Sequence, residues 1–150
     1  MLIRDAWLNE FPRWEVLLRE AGLPIPGPED PEIRALFAVE GAEILGSVGW
    51  ERWEDAALLR SVAVGRLYQQ SGIGRSLVSA ALARLRSEGV REVCLFTVGA
   101  APFFARFGFS EVPRASLPEV ARRSREFAMH ACDSAHALRC DLSSVLLPAF

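Results

Sequence analysis

Two glycines separated by one residue, Gly72-Ile73-Gly74, open a segment with helical apolar spacing, an arrangement suited to holding an anion. Glycine removes the Cβ that would keep a ligand off the backbone. The unpaired N–H groups at a helix start, with the helix dipole behind them, favour phosphate. The helix itself is read from Ile73, Leu77, Val78, Ala81, Leu82 and Leu85, with Gly89 as its stop. Ser71 is placed to cap it, and Arg75 is either a phosphate partner in the first turn or a solvated helix residue. A glycine turn also serves plain strand-to-helix packing, so its chemistry must be narrowed by exclusion. A P-loop requires Gly-x-x-x-x-Gly-Lys-Ser/Thr, and the chain has no lysine. A dinucleotide fingerprint requires a third glycine where Leu77 stands. What is left is Gln69-x-x-Gly72-x-Gly74 behind the apolar run Leu58 to Val64.

Arg60 is the second candidate, a guanidinium inside the otherwise apolar LLRSVAV. The two-residue period of a strand puts it on the same side as positions 58 and 62. A buried guanidinium requires an anion. Either the chain supplies it from Glu51, Glu54 or Asp55, or a ligand does, through a carboxylate, phosphonate-like or arsenical oxyanion that a planar fork can grip. Cys94, Cys132 and Cys140 are odd in number and lack Cys-x-x-Cys spacing, which argues against a disulfide framework and a zinc site and fits a reducing cytoplasm. No metal site is expected, and His130 and His136 read as structural histidines.

These residues need elements to position them. At 150 residues and 51% hydrophobic composition the chain is read as one domain, 1–150, with a single core. Its net charge of -2 is spread through the sequence, which argues against nucleic acid as a partner. No apolar run is long enough for a membrane span, and Arg4, Asp5 and Glu10 stand where a signal peptide would be apolar, so a soluble cytoplasmic protein is expected. Residues 1–6 read as a short strand. A helix starting near Asn9 carries Phe11, Trp14, Leu17, Leu18 and Ala21 on one face and stops at Gly22. Four prolines between positions 24 and 31 mark a stiff loop. Residues 33–40 and 43–53 form a hairpin about Gly41-Ala42, and Glu54-Asp55 turns into the strand ending at Val64. The helix at 73–88 then crosses to a parallel, adjacent strand at 92–98. Arg122, Arg123 and Arg125 lie in a helix-like stretch, as a solvated face or a second anion clamp. Residues 136–142 read as the last strand, before the apolar tail SSVLLPAF. The result is an α/β chain with a mixed sheet.

Gln69-x-x-Gly72-x-Gly74 behind LLRSVAV resembles the Gln/Arg-x-x-Gly-x-Gly/Ala pyrophosphate loop of the GNAT N-acetyltransferase superfamily. FFARFGF, residues 103–109, resembles that family's aromatic helix and Gly-Phe turn, and REVCLFTV lies between, where the family has its next strand. The resemblance runs from about residue 40 to 112. It implies the GNAT acyl-CoA N-acyltransferase fold, a mostly antiparallel sheet splayed at a central parallel strand pair with helices on both faces. Acetyl-CoA is the implied cosubstrate. Its pantetheine arm would lie in a V-shaped gap along Val62, Ala63 and Val64, pairing with the backbone of Val62 and Val64. Its pyrophosphate would sit on the amides of Gln70, Ser71, Gly72, Ile73, Gly74 and Arg75. Thr97 would touch the cofactor, and Phe103 and Phe104 would pack on it or fill the core. The loop at 24–31 would wall the acceptor site or serve as a plain connector. The implied partner is a small-molecule amine, with the chain a monomer or a homodimer.

Acetyl transfer needs a neutral amine and a donor for the oxyanion, such as a strand N–H. The family's frequent glutamate base maps to Leu58 and its tyrosine acid to Phe104, neither of which exchanges a proton. Three routes stand: a water relay to Glu51, Glu54 or Asp55, which is the favoured one; help from Cys132 or a histidine; or simple juxtaposition of the reactants. Glu51, Arg60 and Cys132 are therefore the candidate catalytic residues. LLRSVAV, FFARFGF with EVPR, and the stretch from Glu126 to Leu142 resemble the arsenic-resistance-associated, ArsN-like branch. The part after FFARFGF is also similar to N-acetylglutamate synthase domains. Both imply an amino-acid-like acceptor with an acidic group, held by Arg60. The alternative class is an acetyl-CoA-binding sensor without catalysis.

Overall fold

The computed structural model describes residues 1–27, 32–124 and 135–143. Seven strands, β1 (Leu2–Asp5), β2 (Ile33–Glu40), β3 (Glu43–Trp53), β4 (Ala56–Val64), β5 (Glu92–Thr97), β6 (Ser110–Glu111) and β7 (His136–Asp141), follow the sheet order β1-β2-β3-β4-β5-β7-β6. The helices are α1 (Phe11–Glu20), α2 (Ile73–Ser87), α3 (Ala101–Ala105) and α4 (Glu119–Arg122). None among the described residues is long and apolar enough to cross a membrane. The described residues form two compact units, one of Met1–Glu51 with Arg60–Ala81, the other of Arg52–Leu59 with those from Leu82 to Ser143.

In the first unit β1, β2 and β3 are antiparallel, in a register that sets Asp5 opposite Leu36 and Ile33 opposite Glu51. The helix expected from Asn9 starts two residues later. Leu8–Glu10 is a 3-10 turn, because the Glu10 carboxylate accepts the Trp7 N–H at 2.9 Å and both terminal nitrogens of Arg4 at 2.9 and 2.7 Å. Pro12 then fits the first turn of α1, where its missing N–H costs nothing. Gly22, at φ 71, ends the helix as expected, with Leu23 N–H returning to the Leu18 carbonyl at 2.9 Å. Trp14, Leu17 and Leu18 bury against Ala35, Phe37, Val39 and Ala63. Phe11 and Ala21, expected on the same buried stripe, are exposed, because they stand at the two ends of a helix only ten residues long.

α2 covers the opposite face of the same strands. A Cβ at Gly46 of β3 would stand 2.8 Å from the Ala63 carbonyl oxygen, 3.1 Å from Leu77 and 3.3 Å from Ile73, so glycine is what lets the first turns of α2 settle on the sheet. Its neighbour Ser47 bonds to Trp14 of α1, and consecutive strand residues face opposite ways, so helices flank both faces.

In the second unit β4 and β5 are parallel, paired over Ala56↔Glu92, Ala57↔Val93 and Leu58↔Cys94, the first three residues of each strand. β4 begins at Ala56, two residues before the run read from sequence. Glu54 at φ 53 completes the turn, and the Asp55 carbonyl accepts the N–H groups of Arg91 and Glu92 at 2.7 and 3.3 Å, drawing Ala56 and Ala57 into the ladder. β7 is antiparallel to β5 from Glu92↔Asp141 to Thr97↔His136 and also carries β6. The helix-like stretch after Pro113 contains the four-residue α4, where Arg123 pairs with Glu119 at 2.6 Å in solvent. Arg125 and the tail from residue 144 lie outside the described residues.

Candidate active site

The segment joining β4 to α2 is built from short-range bonds. Gly65 N–H donates to the Leu45 carbonyl at 2.8 Å, and a 3-10 turn, Arg66–Tyr68, follows. The Gln69 side-chain amide returns to the Val64 carbonyl at 3.3 Å, and the Ser71 hydroxyl donates to the Tyr68 carbonyl. Gln70 at φ 64 and Gly72 at φ 87 then turn the chain into the helix. The first return bond is from Ser76 N–H to the Gly72 carbonyl at 3.0 Å, so the N–H groups of Ile73, Gly74 and Arg75 precede the helical ladder. Ile73 is buried and pins the turn, while Gln70, Ser71, Gly72 and Arg75 are exposed. Fixed amides, a fifteen-residue helix behind them and a cation in the first turn suit a diphosphate.

At the centre of β4, Ser61 takes φ 57, a left-handed conformation inside a strand. This interrupts the two-residue alternation that grouped Arg60 with Val62. The Ser61 carbonyl accepts the Ser47 hydroxyl at 2.8 Å, and Ser47 Oγ accepts the Trp14 indole N–H at 3.0 Å. Of the carboxylates weighed for Arg60, Glu51 is the one it meets, with Nη1 to Oε2 at 2.9 Å and side chains 1% and 0% exposed. Glu54 and Asp55 are exposed at the turn. Val62 and Val64 are partly exposed, whereas Ala63 is buried.

The remaining candidates belong to the second unit. Leu58 packs with Cys94, Leu117, Ala121 and Ala137. Thr97 is buried, and its Oγ1 accepts the Ala100 N–H at 3.3 Å. Phe104 is buried edge-on to Phe103 and Phe109, while Phe103 is partly exposed. Cys94 and Cys140 are buried, their thiols directed at the Ala57 and Phe107 carbonyls at 3.7 and 3.4 Å. Burial pushes the Cys140 thiol up to about 11, out of nucleophilic range. His136 Nδ1 meets Glu111 at 2.5 Å on the surface. Cys132 and His130 lie outside the described residues. Among the described residues no group of three His, Cys, Asp or Glu is disposed to hold a metal.

One feature of the first unit escaped the sequence reading. A cavity of about 800 Å³ opens beside α1, walled by Trp7, Phe11, Trp14, Phe37, Pro26 and Gly27 and floored by Ile33, Arg34 and Ala35. Among the described residues, Asp5, Glu15 and Glu32 line it together with Arg34. Of the stiff loop, Pro26 and Gly27 line this cavity, and residues 28–31 lie outside the described residues. The aromatic spacing 7, 11 and 14 was the available signal, but two of those residues also fit a buried stripe.

A family model described as acetyltransferase (GNAT) domain matches residues 31–111. An uncharacterised N-acetyltransferase of Chlorobaculum tepidum is 41% identical over 63 residues, covering 42% of this chain and 40% of that protein. N-acetylglutamate synthase from Neisseria gonorrhoeae, solved with coenzyme A and N-acetyl-glutamate, has a TM-score of 0.77 at 20% identity over 94% of this chain and 35% of its own. An aminoglycoside 6′-N-acetyltransferase solved with coenzyme A has a TM-score of 0.71 at 16% identity, covering 95% of this chain and 97% of its own. These structures share the fold, a mixed seven-stranded sheet with a parallel β4–β5 pair and flanking helices. The chain thus spans about two-fifths of the curated relative and about a third of the synthase. With the family match taking in the β4–α2 turn and more than half of the sequence, the chain belongs to the GNAT acetyltransferase domain family.

Proposed function

We propose that this protein transfers the acetyl group of acetyl-CoA to the primary amine of a small molecule. The observation that carries the reading is the turn from Gln70 to Gly72, whose positive φ angles deliver the leading amides of α2 as a diphosphate cradle. Val62 and Val64, beyond the last β4–β5 pair at Leu58, are the backbone positions for the pantetheine amides. In the reaction the amine, having lost its ammonium proton to water, bonds through nitrogen to the thioester carbon; the C–S bond then breaks, and CoA leaves as a thiolate that takes up, through water, the proton shed by the new amide nitrogen. Glu51 is enclosed with Arg60 and is assigned to holding that guanidinium. A backbone N–H of β4 meets the charge on the carbonyl oxygen. Alignment of the two reactants supplies up to about 7–11 kcal/mol of the barrier reduction without a dedicated base.

The cavity beside α1 supports an acceptor with an apolar body, its ammonium drawn by aromatic faces and an excess of carboxylates before it loses its proton. An acidic, amino-acid-like acceptor is what the resemblance implies for Arg60, but Glu51 meets Nη1 of that guanidinium from within the chain, so no ligand anion is needed to balance it. The arsenic-associated branch and a synthase-like activity rest on motif resemblance alone. The test is CoA-thiol release with 2-phenylethylamine, tyramine and L-glutamate as separate acceptors. The expected result is turnover with the first two at higher kcat/KM than with glutamate. Glutamate as the best substrate would overturn the acceptor assignment. Tight acetyl-CoA binding without turnover would favour a sensor, a reading that buried Leu58 and Phe104 at the usual proton-transfer positions make specific.

A further inference from the structure

Ser61 bears two costs at one position. A side chain bearing a Cβ at φ 57 in a strand is strained, because the left-handed region crowds the Cβ against the backbone. Its own hydroxyl is buried with no hydrogen-bond partner among the described residues, so it draws no offset to the strain from them. The compensation comes from β3 and α1. Ser47, fully buried, donates its hydroxyl to the Ser61 carbonyl at 2.8 Å, and the Trp14 indole N–H, at 3.0 Å, occupies Ser47 Oγ as an acceptor and fixes its rotamer.

A peptide unit is planar and trans, so a carbonyl fixed on one side fixes the N–H on the other. The N–H that shares a plane with the Ser61 carbonyl is that of Val62, the position given above to the thioester arm. We infer that Ser47, locked by Trp14, is a positioning residue for acetyl transfer, aiming the Val62 N–H through the Ser61–Val62 peptide. Trp14 also walls the acceptor cavity, so the donor strand and the acceptor wall share one hydrogen-bonded chain. The inference rests on the acetyltransferase reading and extends it to residues that touch neither reactant's reacting atoms.

Glycine separates this role from plain stability, because glycine adopts φ 57 without help from Ser47. With 2-phenylethylamine as acceptor, or L-glutamate if that is the amine turned over, Ser47→Ala is expected to lower kcat at least tenfold while acetyl-CoA Kd stays within threefold. Adding Ser61→Gly is expected to restore kcat to within about threefold of wild type. A Ser47→Ala protein with wild-type kcat, or a folded double variant no faster than the single one, would overturn the inference. Should Ser47→Ala fail to fold, Trp14→Phe removes only the indole donor and a small part of the ring. A fall in its kcat at saturating acceptor is then expected, and an unchanged kcat would be the overturning result. Wild-type protein that turns over none of the amines sinks the acetyltransferase reading itself, an outcome distinct from an active wild type with an equally active Ser47→Ala.

Discussion

Arg60 shows what one residue announces and what it withholds. A guanidinium in an apolar strand must have an anion, and that much follows from LLRSVAV. Which anion depends on strand register, and the hairpin brings Glu51 of β3 to within 2.9 Å. Removing one partner of such a pair leaves the other charge buried and uncompensated, so Glu51→Gln is expected to cost about 3–5 kcal/mol in denaturant unfolding. Replacing both by leucine is expected to recover most of that loss, and Arg60→Ala to leave the acceptor KM close to wild type wherever the protein folds. Glu10 makes a second residue-scale case. The Arg4 guanidinium hydrogen-bonded to it holds its carboxyl below the usual carboxylate range, against the opposing effect of burial. A lowered folded-state pKa means stabilisation that is present above the ordinary carboxylate pKa and lost as pH falls through the folded value. Glu10→Gln is therefore expected to lower the urea midpoint at pH 7, with its deficit relative to wild type shrinking steadily below about pH 4.

The elements divide by how local their determinants are. α2 was legible end to end, because its apolar stripe and its glycine stops are adjacent in sequence. The start of α1 was not, because the 3-10 turn is set by Arg4 reaching Glu10 from β1, a tertiary contact. β4 was read two residues short for a similar reason, its opening pairs being fixed by backbone bonds from Arg91 and Glu92. The left-handed Ser61 could not be read at all, since serine carries no local signal for φ 57 and the bonds that hold it come from β3 and α1. Gly46 looked like an ordinary strand glycine. A Cβ there would stand 2.8 Å from the Ala63 carbonyl oxygen of β4 and 3.1 and 3.3 Å from the Leu77 and Ile73 side chains of α2, so strand and helix both close over it. Gly46→Ala is expected to destabilise the fold by about 1–3 kcal/mol and to weaken acetyl-CoA binding, as the start of α2 is forced off the sheet. Wild-type acetyl-CoA affinity in a stable Gly46→Ala protein would show that this packing does not govern the turn.

At the scale of the molecule, the order of hairpin, strand, helix and parallel strand was legible because each link joins neighbours in sequence, while the family came from the resemblance carried by Gln69-x-x-Gly72-x-Gly74 and FFARFGF. The place of β7 between β5 and β6 was not legible, for β6 is two residues long and carries no period. The cavity beside α1 was hidden too, since Trp14 serves the core and the wall at once. The proposed activity is at root one of backbone, with main-chain N–H groups at positions 70–75 proposed to grip the diphosphate and that of Val62 proposed to meet the thioester arm. Titration of acetyl-CoA into 15N-labelled protein, followed by amide chemical shifts, examines those groups directly. Saturable shifts largest at Gln70–Arg75 and Val62 are the expected result. Saturable binding that leaves those amides unmoved, or no binding at millimolar acetyl-CoA, would contradict it.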